Sequence, residues 1–219
     1  MMKFNSVVFD LDGTLLDTLG DLRDSVNFAL LKNNLPKRTT VEICSFVGNG
    51  IRLLIERAVP ENTSSEITDK CFSDFKEYYK DHSAILTKPY DGIIDLLTTL
   101  KEKGVKIAVV SNKADFAVKT LMEDYFSGLY DCAYGERAGV PRKPAPDGVF
   151  AAINEMGADV KETVYIGDSE VDVETSKNAK LPCIAVTWGF RDKKVLESLN
   201  PEYIVDSTSD ILRIIERGI

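Results

Sequence analysis

The chain has 219 residues, 44% hydrophobic and 28% charged, an ordinary globular balance that excludes long disordered tracts and leaves room for a filled core with an inserted module. Its formal net charge is −8 and no basic block exceeds "RDKK" at 191–194, read as a solvated helix start, so a nucleic-acid surface is excluded. No run reaches the roughly 18 apolar residues of a membrane span, and "MMKFNSVVFDLDG" lacks the apolar segment and cleavage site of a signal peptide, so a cytoplasmic protein is expected.

Along the chain, short runs rich in Val, Ile and Tyr recur, beginning with "SVVFDL" at 6–11. About ninety residues without a convincing strand follow, more than one crossover helix requires. Within them "TLGDLRDSVNFALLKN" carries Leu19, Leu22, Val26 and Leu30 at helical spacing, and "TSSEITDKCFSDFKEYYKDH" carries Ile67, Cys71, Phe75, Tyr78 and His82 on one stripe. Thr63 or Ser64 supplies the N-cap of the second helix. Residues 16–85 therefore read as an inserted helical cap, closed by "LTKPYDG", and residues 1–15 with 86–219 as the core domain. Thr14 to Thr18 and Lys88 to Asp91 are the expected hinges.

From "VKIAVVSN" onward the runs "DCAYG", "TVYIGD", "PCIAVT" and "YIVD" alternate with helical patterns. Continuous apolar runs without strict alternation suit strands buried on both faces, so the fold class is α/β with a Rossmann-like parallel sheet. The four cysteines, Cys44, Cys71, Cys132 and Cys183, lack metal-ligand spacing and read as reduced apolar fillers. His82 is the only histidine, which leaves a serine or cysteine nucleophile without a base.

In open parallel sheets, ligands bind beyond the carboxyl ends of the strands. Asp10 and Asp12 end the first run, Ser111 and Asn112 the second, and Asp168 follows "TVYIG", while Lys143 lies in the loop "VPRKPAPDG". Carboxylates gathered at one edge repel unless a cation lies among them or protons are shared. A hard divalent ion fits that need, with Mg²⁺ the abundant candidate. Lys143, the Ser111 hydroxyl and N–H groups around Gly13 supply an anion-binding counterpart. A metal and a phosphate site together point to phosphoryl chemistry on a small-molecule phosphate ester.

Four motifs in order resemble the haloacid dehalogenase superfamily, in particular its phosphoglycolate phosphatase-like branch: "DLDGT" at 10–14, "SN" at 111–112, Lys143 in "KPAPD", and "GDSEVD" at 167–172. The resemblance implies Asp10 as the nucleophile that forms an aspartyl-phosphate and Asp12 as general acid/base. It implies that Ser111 and Lys143 hold the phosphoryl oxygens, with Gly13, Thr14 and Asn112 beside them in substrate binding. Asp10, the Asp12 carbonyl and Asp168 would hold Mg²⁺. Asp172 either reaches the metal through water or faces solvent, and the resemblance favours the metal. Asp12 argues against dehalogenation, because a halide leaves without a proton, and the stretch "FVGNGIRLLIERAVPENTS" lacks the lysine that carbon–phosphorus cleavage needs. A phosphomutase of the β-phosphoglucomutase type is the alternative of the same fold, and a catalytically silent phospho-switch the alternative of another class.

Other positions carry plainer readings. Asp17 is read as an acidic residue at a helix N-terminus and Arg142 as solvated. Gly48 and Gly50 break two helices or let Asn49 and Arg52 reach the substrate's leaving group.

Overall fold

Each of the six apolar runs forms a strand in the computed structural model, which describes residues 2–218. In chain order, β1 (Ser6–Phe9) and β2 (Leu16–Asp17) precede four helices: α1 (Leu19–Lys32), α2 (Thr40–Phe46), α3 (Ile51–Ala58) and α4 (Ser65–His82). Then come β3 (Lys88–Pro89), α5 (Ile93–Glu102), β4 (Lys106–Ala114), α6 (Asp115–Phe126), β5 (Cys132–Glu136) and α7 (Asp147–Met156). The chain ends with β6 (Thr163–Gly167), α8 (Glu170–Ala179), β7 (Cys183–Val186), α9 (Lys193–Ser198), β8 (Tyr203–Val205) and α10 (Thr208–Arg217). Contacts divide it into two units, one of the segment ending at Leu16 together with that from Pro89 onward, the other Asp17–Lys88.

The first unit is α/β. Its sheet has the order β5-β4-β1-β6-β7-β8, with every neighbouring pair parallel. From β1 the chain moves outward to β4 and β5, then returns to the other flank of β1 for β6, so the strand order reverses beside β1. Alternate side chains serve opposite faces. Val7, Phe9, Ile107, Val109, Val164 and Ile166 join one buried cluster with α5, α6 and α10; Val8, Ala108, Val110 and Tyr165 join another with α7. This double burial accounts for the absence of polar alternation in the sequence. Each buried aliphatic side chain contributes about 1.5–3 kcal/mol.

One irregularity matters for function. The pairing of β4 with β5 steps from Val110 opposite Tyr134 to Ala114 opposite Glu136, with a register shift between. Three residues of β4 thus lie opposite the single Gly135 of β5, a bulge that re-aims Ser111, Asn112 and Lys113. These three lie inside a strand that runs on to Ala114, where the sequence suggested a strand already ended.

The second unit is helical. There α1 packs against α4 and α2, and α3 against α2 and α4. Leu22, Val26 and Leu30 of α1 are buried, as expected, together with Ile43, Ile55, Cys71, Phe75 and Tyr79. The stripe on α4 differs from its expected course. Its inward face runs through Thr68, Cys71, Phe75 and Tyr79, whereas Ile67 is 39% exposed. Tyr78 stacks between Phe28 and His82 on the outer flank, with ring centroids 4.0 and 3.7 Å away. Counting from Cys71, a buried row at steps of four meets Tyr79, and Tyr78 lies one residue off it. Ser64 is the N-cap of α4, its hydroxyl accepting the Ile67 N–H at 3.3 Å. Among the described residues no helix is long and apolar enough to cross a membrane.

Candidate active site

Three adjacent strands, β4, β1 and β6, bring their carboxyl ends together in the α/β unit, and the polar residues follow there. Asp10 leaves β1 with its N–H still bonded to the Ile166 carbonyl at 2.9 Å, which fixes it as the next rung of the sheet. Gly13 turns the chain at φ +87°, where an L side chain is strained, and a Cβ there would meet Asp168 Oδ2 at 2.5 Å. Only glycine lets the turn approach the end of β6 so closely.

Lys143 is the electrostatic centre. Its side chain is 4% exposed and its Nζ lies 2.7 Å from Asp10 Oδ1, 2.9 Å from Asp172 Oδ1 and 3.0 Å from the Tyr165 hydroxyl. Burial pulls its pKa down, but Asp10 and Asp172 outweigh burial and hold it well above the usual lysine value. It is therefore a fixed cation. The loop that carries it is tied by Asn112, whose Nδ2 donates to the Lys143 carbonyl at 3.0 Å. Asn112, expected against substrate, thus supports the lysine.

Asp10, Asp168 and Asp172 are all buried, and one carboxylate oxygen from each lies within 4.8 Å of the others. Burial pushes Asp10 up from 3.8 to about 7 despite Lys143. Burial, with Asp172 and Asp10 next, raises Asp168 far above its usual value. Asp172 behaves differently. Burial would raise it, but Lys143, Ser169 and Tyr165 bring it below the usual range. Its Oδ2 accepts the N–H groups of Asp168 and Ser169 at 3.2 and 3.1 Å and the Ser169 hydroxyl at 2.6 Å, while Oδ1 accepts Lys143 and Tyr165. The solvent-facing reading of Asp172 is overturned, since the residue is 1% exposed. Two carboxyl groups, Asp10 and Asp168, are thus raised by burial and by the charge of Asp172, and a hard cation that takes oxygen ligands would relieve both.

Asp168 is held from two sides. Its Oδ1 accepts the Thr14 hydroxyl at 3.2 Å and its Oδ2 the Phe190 N–H at 2.7 Å. Thr14, expected against substrate, is thereby a support of Asp168. The segment after β7 closes the turn from the other direction, Trp188 Nε1 donating to the Thr14 carbonyl at 3.1 Å. Sequence reasoning missed this segment; its only signal was "TWGF" following a strand end. Arg191, read as part of a solvated block, pairs with Glu170 at 2.7 Å.

Two of the N–H groups around Gly13 are used within the turn, Gly13 donating to the Leu16 carbonyl at 2.9 Å and Thr14 to that of Leu11 at 3.3 Å. Ser111 remains beside the site, its hydroxyl accepting the Lys113 N–H at 3.2 Å. Asp12, beyond β1, pairs with Lys113 at 2.8 Å, and its charge adds to the rise of Asp10. Asn49 and Arg52 belong to the helical unit: Asn49 lies between α2 and α3, and Arg52 pairs with Glu56 at 2.6 Å and with Asp69. Its guanidinium is already committed to two carboxylates.

The chain has relatives of known family. The family model of the haloacid dehalogenase-like hydrolases matches residues 7–186. A phosphoglycolate phosphatase from Agrobacterium fabrum is 33% identical over 91% of this chain and 87% of its own length. One from Aquifex aeolicus is 28% identical over 97% of both chains. A crystal structure of a protein from Lactobacillus delbrueckii subsp. bulgaricus is 36% identical, covers 99% of this chain and 100% of its own, and has a TM-score of 0.94. Matched over most of its length, the chain belongs to the haloacid dehalogenase-like hydrolases, on their phosphoglycolate phosphatase-like branch.

Proposed function

We propose that this hydrolase cleaves small phosphate monoesters with Mg²⁺ and an aspartyl-phosphate on Asp10. The observation that carries the reading is the pairing of Asp10 with Lys143 at 2.7 Å inside a buried group of three carboxylates. A nucleophilic carboxylate must be ionised, and Asp10, raised to about 7 by burial, gains its charge with the help of positive neighbours. Lys143 is one. Mg²⁺, held by Asp10, Asp168 and the Asp12 carbonyl, would supply the remaining positive charge and draw the phosphoryl oxygens toward the strand ends.

The residues of the chain then divide the work. Asp10 attacks phosphorus while Lys143 and the Ser111 hydroxyl hold the phosphoryl oxygens. Asp12 gives a proton to the departing oxygen, then takes one from the water that releases phosphate. Asp172, by keeping Lys143 in place, sets the direction from which that charge acts. Since the relatives carry the name phosphoglycolate phosphatase, phosphoglycolate is the first substrate to try.

The test is release of inorganic phosphate from a panel of small monoesters with and without Mg²⁺, for wild type and Asp10→Asn. Wild type should turn over only with the metal, and Asp10→Asn should lose turnover at unchanged melting temperature or better. Near-normal hydrolysis by Asp10→Asn would remove the nucleophile assignment.

A further inference from the structure

Lys113 is a buried charge with no part in the four motifs. It sits in the bulged end of β4, its side chain 2% exposed, and its Nζ lies 2.8 Å from Asp12 Oδ1. Burying an ammonium group on a strand is costly, and an apolar residue would serve the sheet better, as Val109 and Val110 do just before it. The cost has a local beneficiary in Asp12. Lys143 is engaged by Asp10 and Asp172, so the two buried ammonium groups serve different carboxylates. Lys113 also touches the site through its main chain, its N–H donating to the Ser111 hydroxyl at 3.2 Å. The two-residue excess in the β4–β5 register is what turns this stretch toward Asp12.

We propose that Lys113 is a positioning residue for Asp12, fixing the rotamer from which that carboxyl group exchanges protons with the leaving oxygen and with water. The proposal rests on the reading of Asp12 as the proton carrier. In that reading the Asp10–phosphorus bond forms as the bond to the leaving oxygen breaks, and the proton passes from Asp12 to that oxygen. Water then attacks phosphorus, its proton returns to Asp12, and Asp10 departs. Lys113 acts on the reaction through Asp12. Its effect is confined to steps in which Asp12 moves a proton.

That confinement gives the test. A p-nitrophenolate leaves without a proton, whereas an alkoxide needs one, and kcat/KM reports only the steps through formation of the aspartyl-phosphate. Lys113→Met should lower kcat/KM for phosphoglycolate by about 100-fold while changing that for p-nitrophenyl phosphate by less than about 3-fold. Asp12→Asn should show the same bias, and the double variant should be no slower than Asp12→Asn alone. Lys113→Arg should recover part of the loss. Equal losses on both esters, or losses that add in the double variant, would overturn the assignment and make the pair merely structural. Lys113→Gln, which keeps a donor, carries the same comparison should the methionine variant not fold. Wild-type protein that releases phosphate from neither ester would instead overturn the phosphatase reading, and this assignment with it.

Discussion

Both units bury an aspartate near the start of their structure, and they treat it in opposite ways. Asp21, in the first turn of α1, is 3% exposed and accepts the N–H groups of Ile85, Leu86 and Thr87 at 2.9–3.1 Å and the Thr87 hydroxyl at 2.7 Å. The donors are neutral and local to the helical unit, and they fix the returning segment 85–87 onto α1. Asp10, 8% exposed, has one lysine at 2.7 Å and two further carboxylates as neighbours. One arrangement serves stability. The other leaves like charges together, which a fold tolerates where chemistry needs it.

The largest effect that separates the two belongs to Asp21→Ala. Three backbone N–H groups and a hydroxyl would lose their acceptor, and stability should fall by about 3–4 kcal/mol in denaturant unfolding. A loss below about 1 kcal/mol would mean that water replaces the carboxylate and that the contrast with Asp10 is shallower than drawn. At the other pole, Asp168→Asn in metal-free protein should leave the melting temperature unchanged or raise it, because an amide mimics the protonated carboxyl that burial favours there. The same substitution should abolish the stabilisation that Mg²⁺ gives the wild type.

The pH dependence of that metal effect is the next test. Asp10 has a folded-state pKa of about 7 against 3.8 for the free carboxyl, and Asp168 is shifted the same way. A raised carboxyl pKa means that the folded chain binds more protons than the unfolded one, so metal-free stability falls as pH climbs from 3.8 through about 7. Asp172, shifted down, contributes in the opposite sense, and its share is lost only below the ordinary carboxylate range. Mg²⁺ should therefore raise the melting temperature more at about pH 8 than at about pH 5, with a stabilisation near 2.7 kcal/mol at about 100 times its dissociation constant. An equal rise at both values would place the metal away from Asp10 and Asp168.

These contrasts also show what a sequence can and cannot disclose. Asp10, Ser111 and Asp168 were legible because each is the first polar residue after an apolar run, and the parallel sheet places the ends of such runs along one edge. Lys143 was legible through its motif alone. Tyr165 was not, because a tyrosine inside an apolar strand reads as core, and its hydroxyl meets Lys143 and Asp172 only once β6 is set beside the loop before α7. Lys113 was hidden by the bulge, since regular alternation does not say that Ser111, Asn112 and Lys113 are all re-aimed. The clasp on Asp21 was hidden by distance, as its donors lie more than sixty positions along the chain. Local pattern marks where a charge sits, and tertiary register decides what it touches.

The smallest predicted effect compares one local device in the two units. Before α2, the Thr39 hydroxyl accepts the Glu42 N–H at 3.2 Å and Glu42 Oε2 accepts the Thr39 N–H at 2.8 Å. Before α8, Asp172 likewise reaches back to the Ser169 N–H at 3.1 Å, but its other oxygen holds Lys143. Thr39→Ala should cost about 1 kcal/mol and leave turnover untouched, since the cap ends at the helix it starts. Ser169→Ala removes a hydroxyl 2.6 Å from Asp172 Oδ2 and should cost a similar amount, yet it also loosens the carboxylate that orients Lys143. Its mark is therefore kinetic, a fall in turnover of a few-fold, about what a displaced orienting group gives, without a matching difference in stability from Thr39→Ala. Should Ser169→Ala turn over as well as Thr39→Ala, the α8 cap would be the same helix start as the α2 cap, and Asp172 would hold Lys143 by its remaining bonds alone.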